Sequence, residues 1–469
     1  MLHLQPKKLP GVLESILVLL ATIAIISYFI IEVQSVPHVP ILLAIFVMLA
    51  YGLIKRMSFK ELQHGMVQGA QTGMNAVLLF FLIGILISSW MASGTIPVLM
   101  DAAFLLAGGP WFLAITFAVT AIVGVALGSS FTTAATVGVA LMGVSQSLDV
   151  SLAMTAGAVV SGAFFGDKMS PLSDTTNLAS TVVKVDLFEH IKNMSWTTIP
   201  AFIITFILFI FLSPEQQGST DQLTSFQAGL EEANLMHWSS WIPLVVLVAF
   251  TVTKRPAFIS LAITSVVATL IAGFRGVLEW GALWSTWFGG FSAETSSEAV
   301  NNLLTRGGMN AMLFTVSIVI LALALGGLFF KTGVIPAILK SVQNGLSSAR
   351  SVTLSTAFTA IGINVAIGEQ YLSILLTGEA YQDMYEKANL ARKNLSRTLE
   401  DAGTVINPLV PWSVCGVFLS GVLGVPVLEY LPFAFFCLLC PILTILFGLT
   451  GKTLTPKTET HSLEKASGH

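Results

Sequence analysis

The chain has 469 residues, of which 54% are hydrophobic and only 10% charged, where a soluble domain carries about 25% charged residues. That composition excludes a water-soluble globular protein. The formal net charge of -3, spread over short loops, gives no basic surface and excludes nucleic acid as a partner.

Apolar runs read with a window of about 19 residues predict membrane spans near 12–33, 38–54, 74–92, 110–128, 150–166 and 196–213. A second series follows near 240–253, 257–274, 309–330, 350–367, 398–424 and 427–447. Shorter apolar pieces at 95–107, 129–143, 334–346 and 370–381 read as half-helices or re-entrant segments. The first run is longer than the ~7 to 15 residue core of a signal peptide, and no small-residue cleavage site follows it, so it reads as a retained helix. The expected architecture is an all-α polytopic membrane protein with broken helices and re-entrant hairpins.

The two series look related. Gly73-Met74-Asn75-Ala76 returns as Gly308-Met309-Asn310-Ala311 after about 235 residues, and Gly94-Thr95-Ile96-Pro97 as Gly333-Val334-Ile335-Pro336 after about 239. Gly166-Asp167 is answered by Glu400-Asp401 after about 234. A shared register of this kind marks an internal duplication. Lys7 and Lys8, then Lys55, Arg56 and Lys60, then Lys254 and Arg255 flank spans on the side expected to be cytoplasmic, while 214–237 holds no Lys or Arg. The halves therefore start on opposite sides, which is inverted topology. The predicted division is a first repeat at 1–213, an extracytoplasmic linker at 214–239, a second repeat at 240–451 and a cytoplasmic tail at 452–469, with both termini inside.

The chemistry concentrates after the fifth span, in Gly166-Asp167-Lys168-Met169-Ser170-Pro171-Leu172-Ser173-Asp174-Thr175-Thr176-Asn177. Pro171 breaks a helix there, and a broken span frees helix ends and carbonyls that transporters use to hold ions near the midplane. Hydroxyl and carboxylate oxygens are hard ligands and suit Na+ rather than a transition metal. A desolvated carboxylate also holds a proton more readily than one in water, so one acid can exchange H+ for Na+. The bland alternative, a polar cytoplasmic loop, fits poorly with apolar and small neighbours on both sides, because ionisable residues within the membrane default to function.

In the second half, Asp401, Thr404 and Asn407 precede Pro408 in the same pattern. The expected ion-binding and coupling group is therefore Asp167, Ser170, Ser173, Asp174, Thr175, Asn177, Asp401, Thr404 and Asn407. Two earlier breaks add Ser129, Ser130, Thr132, Asn364 and Glu369 as secondary candidates, with Glu400 beside Asp401. For Ser129 and Thr132 a small-residue packing patch with Gly124 and Gly128 is an equal reading. If Lys168 neutralises Asp167, Asp174 becomes the coupling acid. Asp101, Glu294 and Glu298 read as solvated or interfacial. Cys437 and Cys440 form a CxxC inside the apolar run 431–446 with no second pair and no nearby His, so they read as small lipid-buried side chains and not as a metal or redox centre.

The block from Phe165 to Asn177 resembles the signature of the NhaC family of bacterial Na+/H+ antiporters, and the likeness extends over the span pattern and the block from Glu400 to Trp412. The resemblance implies an antiporter of the bacterial cytoplasmic membrane with inverted repeats and re-entrant hairpins. It leaves organic-acid exchange, malate for lactate with coupled H+ and Na+, as the alternative cargo. The partners expected are the lipid bilayer, Na+ and H+, with small carboxylates in the alternative reading and room for a homodimer. No resident cofactor is expected. An enzyme would need a constellation such as HExxH or GxSxG, which the chain lacks. Gly451-Lys452-Thr453 is not a phosphate loop, since Leu446 stands where that motif needs its first Gly. A channel would leave a continuous pore, whereas paired broken helices suit alternating access.

Overall fold

The first helices form because long apolar stretches in lipid have no way to satisfy their backbone polar groups except within themselves. The computed structural model describes residues 9–107, 109–214, 227–293, 295–296, 298–342 and 348–457. It opens with α1 (Val12–Ile31) and α2 (His38–Ile54), followed by the amphipathic α3 (Phe59–Thr72). The start of α3 is fixed by a capping box, in which Ser58 caps the Glu61 amide and Glu61 reaches back to the Ser58 amide. Next come α4 (Met74–Ala92), α5 (Thr95–Ala107), α6 (Phe112–Leu127), and α7 (Ser130–Thr133), which passes through a π-helical turn (Ala134–Gly138) into α8 (Val139–Ser147). α9 (Leu152–Met169), α10 (Asp174–Val183) and α11 (Leu187–Leu212) complete this part.

Beyond the linker lie α12 (Ile242–Val252), α13 (Ala257–Phe274), α14 (Trp280–Gly289), α15 (Glu298–Leu304), α16 (Met309–Lys331), α17 (Val334–Val342), α18 (Ala349–Ile367) and α19 (Gln370–Lys387). α20 (Arg392–Leu399) continues as a π turn (Glu400–Thr404), and α21 (Val414–Leu423), α22 (Val427–Tyr430) and α23 (Phe435–Thr450) follow.

Among the described residues, six helices are long and apolar enough to cross a membrane, or up to eight if each of two bent pairs is one span. One bent pair is Arg392–Leu409 with Val414–Leu423, at 47°, and the other is Val427–Phe433 with Phe435–Thr450, at 61°. The spans expected at 398–424 and 427–447 are thus both broken. The piece at 370–381 is the start of an 18-residue helix, longer than a half-helix. α3 and α14 carry too little apolar length to register as spans.

Burial sorts the helices. In α16, 72% of the membrane-length window is inside the bundle, against 17% in α1, which turns Leu13, Leu17 and Leu20 outward where lipid replaces water. Two crossings bring backbones together. A Cβ on Gly166 of α9 would lie 2.3 Å from the Gly124 Cα of α6, and a Cβ on Gly69 of α3 would lie 2.3 Å from the Leu323 carbonyl oxygen of α16. Small residues at such crossings are how membrane helices gain van der Waals contact.

Cys437 and Cys440 are free thiols buried within the bundle, which corrects the expectation that they face lipid. The first residues of the expected tail also belong to the fold. Thr455 accepts hydrogen bonds from the Ala391 amide (3.0 Å) and Asn394 Nδ2 (2.7 Å), and the Lys457 amide donates to the Asn389 carbonyl at 3.0 Å. Glu294 and the rest of the tail lie outside the described residues, as does 215–226 of the linker.

Candidate transport site

Four helices begin where four others break. Gly128 ends α6 with φ +65° and Gly368 ends α18 with φ +76°, a left-handed conformation that glycine adopts without steric cost. The next residue in each case, Ser129 or Glu369, is extended and caps the following helix. Ser129 Oγ accepts from the Thr132 amide at 3.3 Å, and Glu369 Oε2 accepts from the Leu372 amide at 2.7 Å. Ser173 caps α10 through the Thr176 amide (3.4 Å), and Ser413 caps α21 through the Gly416 amide (2.9 Å).

A cavity of about 820 Å³ opens among these ends. Its lining includes Ser129, Ser130, Thr132, Asp167, Asp174, Thr175, Asn177 and Glu369, so eight of the fifteen residues singled out from the sequence share one space. Asp167 is at its heart. Ser130 Oγ donates to Asp167 Oδ2 at 2.6 Å, and Ser173 Oγ donates to Oδ1 at 2.6 Å. Ser173 Oγ also lies 3.0 Å from Thr175 Oγ1. Asp174 and Asn177 are exposed to the cavity side, and Asn177 Nδ2 donates to the Ser173 carbonyl at 2.7 Å, fixing the broken segment. Ser170 lies behind, donating to the Val125 carbonyl at 2.8 Å.

The remaining candidates do not line this cavity. Asp401 is fully buried and forms an ion pair with Lys168, also fully buried. Thr197 donates to Asp401 Oδ1 at 3.1 Å, and Thr444 donates to Oδ2. Lys168 therefore neutralises Asp401 and not Asp167, so the condition under which Asp174 alone would be the coupling acid does not hold. Asn407 Nδ2 donates to Asn364 Oδ1 at 2.7 Å, and Asn364 Nδ2 donates to the Gly403 carbonyl at 2.6 Å. Glu400 and Thr404 are buried in the π turn that carries Asp401.

Thr197 and Thr444 were invisible as site residues in the sequence, because isolated threonines in apolar helices carry no signal of what they face. Lys254, Arg255 and Asn75 line the cavity too, although in the sequence they carry only a topology or repeat signal.

A model of the Na+/H+ antiporter family matches residues 162–452. Over 96% of its length the chain is 41% identical to the Na+/H+ antiporter NhaC of Alkalihalophilus pseudofirmus, covering 97% of that protein. The chain belongs to the NhaC family of Na+/H+ antiporters. The NhaC of Bacillus subtilis is 40% identical, over 92% of this chain and 95% of its own. A second Bacillus subtilis relative, named as a malate-2H+/Na+-lactate antiporter, is 34% identical over 95% and 96%. Like its NhaC relatives, this chain is a multi-pass secondary transporter of the bacterial cytoplasmic membrane and not an enzyme.

Proposed function

We propose that this chain exchanges Na+ for H+ by alternating access, and that Asp167 carries the coupling. The observation that carries this reading is the Asp167 carboxylate, buried at the cavity wall with both oxygens held by serine hydroxyls. Helix N-termini favour negative charge, but the four at this site are already capped by the protein's own side chains. The acceptors in the cavity wall are oxygens, from Asp167, Asp174, Thr175 and Glu369, and oxygen suits a hard cation. A proton on Asp167 neutralises it. Na+ arriving from the cavity displaces the proton and takes the same oxygens, and because one carboxylate serves both, neither ion crosses without the other leaving.

We read the membrane part as two inverted repeats, 1–213 and 240–451, joined by an extracytoplasmic linker at 214–239 with both chain ends cytoplasmic. Supporting this are the paired left-handed glycines, Gly128 and Gly368, and the paired capping serines, Ser173 and Ser413, each pair about 240 residues apart. The cavity reaches Lys254 and Arg255, in a loop whose charge assigns it to the cytoplasm, so the conformation is inward-facing.

Organic-acid exchange is the second reading. Its specific support is the cavity's size, larger than a bare cation needs, together with the cationic Lys254 and Arg255 in its lining. The deciding experiment is proton flux in proteoliposomes with a trapped pH dye. A pH change on adding NaCl alone, lost in Asp167→Asn, supports Na+/H+ exchange. Movement only with malate and lactate on opposite sides supports the organic-acid reading instead.

A further inference from the structure

The buried Lys168 bonds to one of the two carboxylates beside it and leaves the other without a direct partner. Lys168 Nζ has three protons to donate, and its neighbours are Asp401 Oδ1, Thr197 Oγ1 at 3.5 Å and Cys440 Sγ at 3.8 Å. Glu400, adjacent to Asp401, receives none of them. Both of its carboxylate oxygens are fully buried, and neither they nor Thr404 Oγ1, one π turn later, have a partner at good hydrogen-bond geometry, the Thr404 hydroxyl being the one donor close to the carboxylate. Its charged neighbours are Asp167, Lys168 and Asp401. Arg397, one turn back, directs its guanidinium to Thr453 of the tail instead.

A facing helix supplies further unclaimed oxygens. A Cβ on Gly378 would touch Leu399 Cδ1 at 3.1 Å and one on Gly403 would touch Ser373 Oγ at 3.3 Å, so α19 runs antiparallel along the π turn and sets Thr377 opposite its beginning. Thr377 Oγ1 and Gln370 Oε1 are buried without hydrogen-bond partners as well. Unpaired hydroxyl oxygens around a buried carboxyl group are costly unless a cation or a proton joins them, and π turns recur where helices are adapted to function.

We propose that Glu400 and Thr404, with Thr377 across from them, form a second station for a monovalent cation, behind the cavity wall that holds Asp167. The cation is the transported Na+, since hard carboxylate and hydroxyl oxygens make the site. This rests on the reading of Asp167 as the first station.

Equilibrium binding of radioactive sodium to the purified full chain in lipid nanodiscs tests it. Two ions per chain are expected in the native protein, one in Glu400→Gln and one in Asp167→Asn. Thr404→Val keeps the carboxylate, serves if Glu400→Gln fails to fold, and should weaken one of the two sites about tenfold. One ion in the native protein, lost in Asp167→Asn and retained in Glu400→Gln, overturns the second station while leaving the first. Full sodium binding in Glu400→Gln with a changed pH profile makes Glu400 a proton carrier and overturns the cation station. Absence of any sodium binding in the native protein overturns the reading of Asp167 itself.

Discussion

The two broken helices share a backbone plan and differ in chemistry. Between α9 and α10 the break is four residues, Ser170 to Ser173, and it opens on the cavity with a carboxylate six residues before the capping serine. Between the π turn and α21 the break is longer, and the residue six before its capping serine, Ser413, is Asn407. That asparagine is spent on structure. Its Oδ1 accepts from the Cys415 amide at 2.9 Å, its Nδ2 donates to Asn364, and Tyr430 Oη closes the segment by donating to the Pro408 carbonyl at 2.5 Å. One break lines the cavity with an acid, while the other is buried around a neutral asparagine, its acids Glu400 and Asp401 lying in the π turn before it. The same local geometry supplies helix ends in both places, while the position six residues before the cap is an acid in only one of them.

The largest effect should come from removing that charge. Asp167→Asn is expected to lower Na+-driven proton movement by on the order of 100-fold while the protein still inserts and purifies as a monodisperse species. Asn407→Asp, the reverse change at the other break, loses the donor to Asn364 and should lower the unfolding temperature without moving the Na+ dependence. A shifted Na+ dependence there would erase the contrast between the two breaks.

Next in size is Lys168→Met, which strands Asp401 as an unpaired buried charge and should destabilise the protein by about 3–5 kcal/mol. Adding Asp401→Asn should restore most of that loss in thermal unfolding, because the pair is then removed together. Failure of the second change to restore stability would show that Lys168 serves another partner.

Smaller and more discriminating is the pair of capping serines. Ser173→Ala and Ser413→Ala should each cost about 1 kcal/mol of stability. Only Ser173 also touches the Asp167 carboxylate, so only Ser173→Ala should raise the Na+ concentration for half-maximal exchange, by about tenfold for one hydrogen bond to a charged group. Equal transport phenotypes would mean that both breaks handle the ion. The smallest effect is expected at Glu386→Gln, where the paired Arg392 and Lys457 are partly exposed. It should change stability by under about 1 kcal/mol, and less at high salt.

Much of this was legible in advance. The spans expected at 74–92 and 257–274 coincide with α4 and α13, and the shorter piece expected at 95–107 with α5, because apolar runs and glycine stops are local signals. The cluster from Asp167 to Asn177 was legible for the same reason, with breaker, hydroxyls and acids all contiguous. What the sequence hid is non-local. Nothing near Lys168 says that its partner is Asp401, 233 positions away, and matching Asp167 to Asp401 by residue type missed that the backbone signals run in a register about six residues longer. The two breaks differ in side-chain chemistry, and it is the capping residues and the left-handed glycines, not the acids, that share a spacing of about 240. Glu400 is legible as an acid, but its lack of a direct ion pair with the nearby Lys168 emerges only once the three protons of Lys168 are accounted for.

The thiol of Cys440 sits 3.8 Å from the Lys168 ammonium and is sealed from solvent. With three cysteines in the whole chain, replacing Cys415 and Cys437 would leave one native sulfur against the central ion pair. The rate at which a small alkylating reagent reaches it becomes a clock for how often the helices around Lys168 part during the transport cycle, with no foreign probe in the membrane interior.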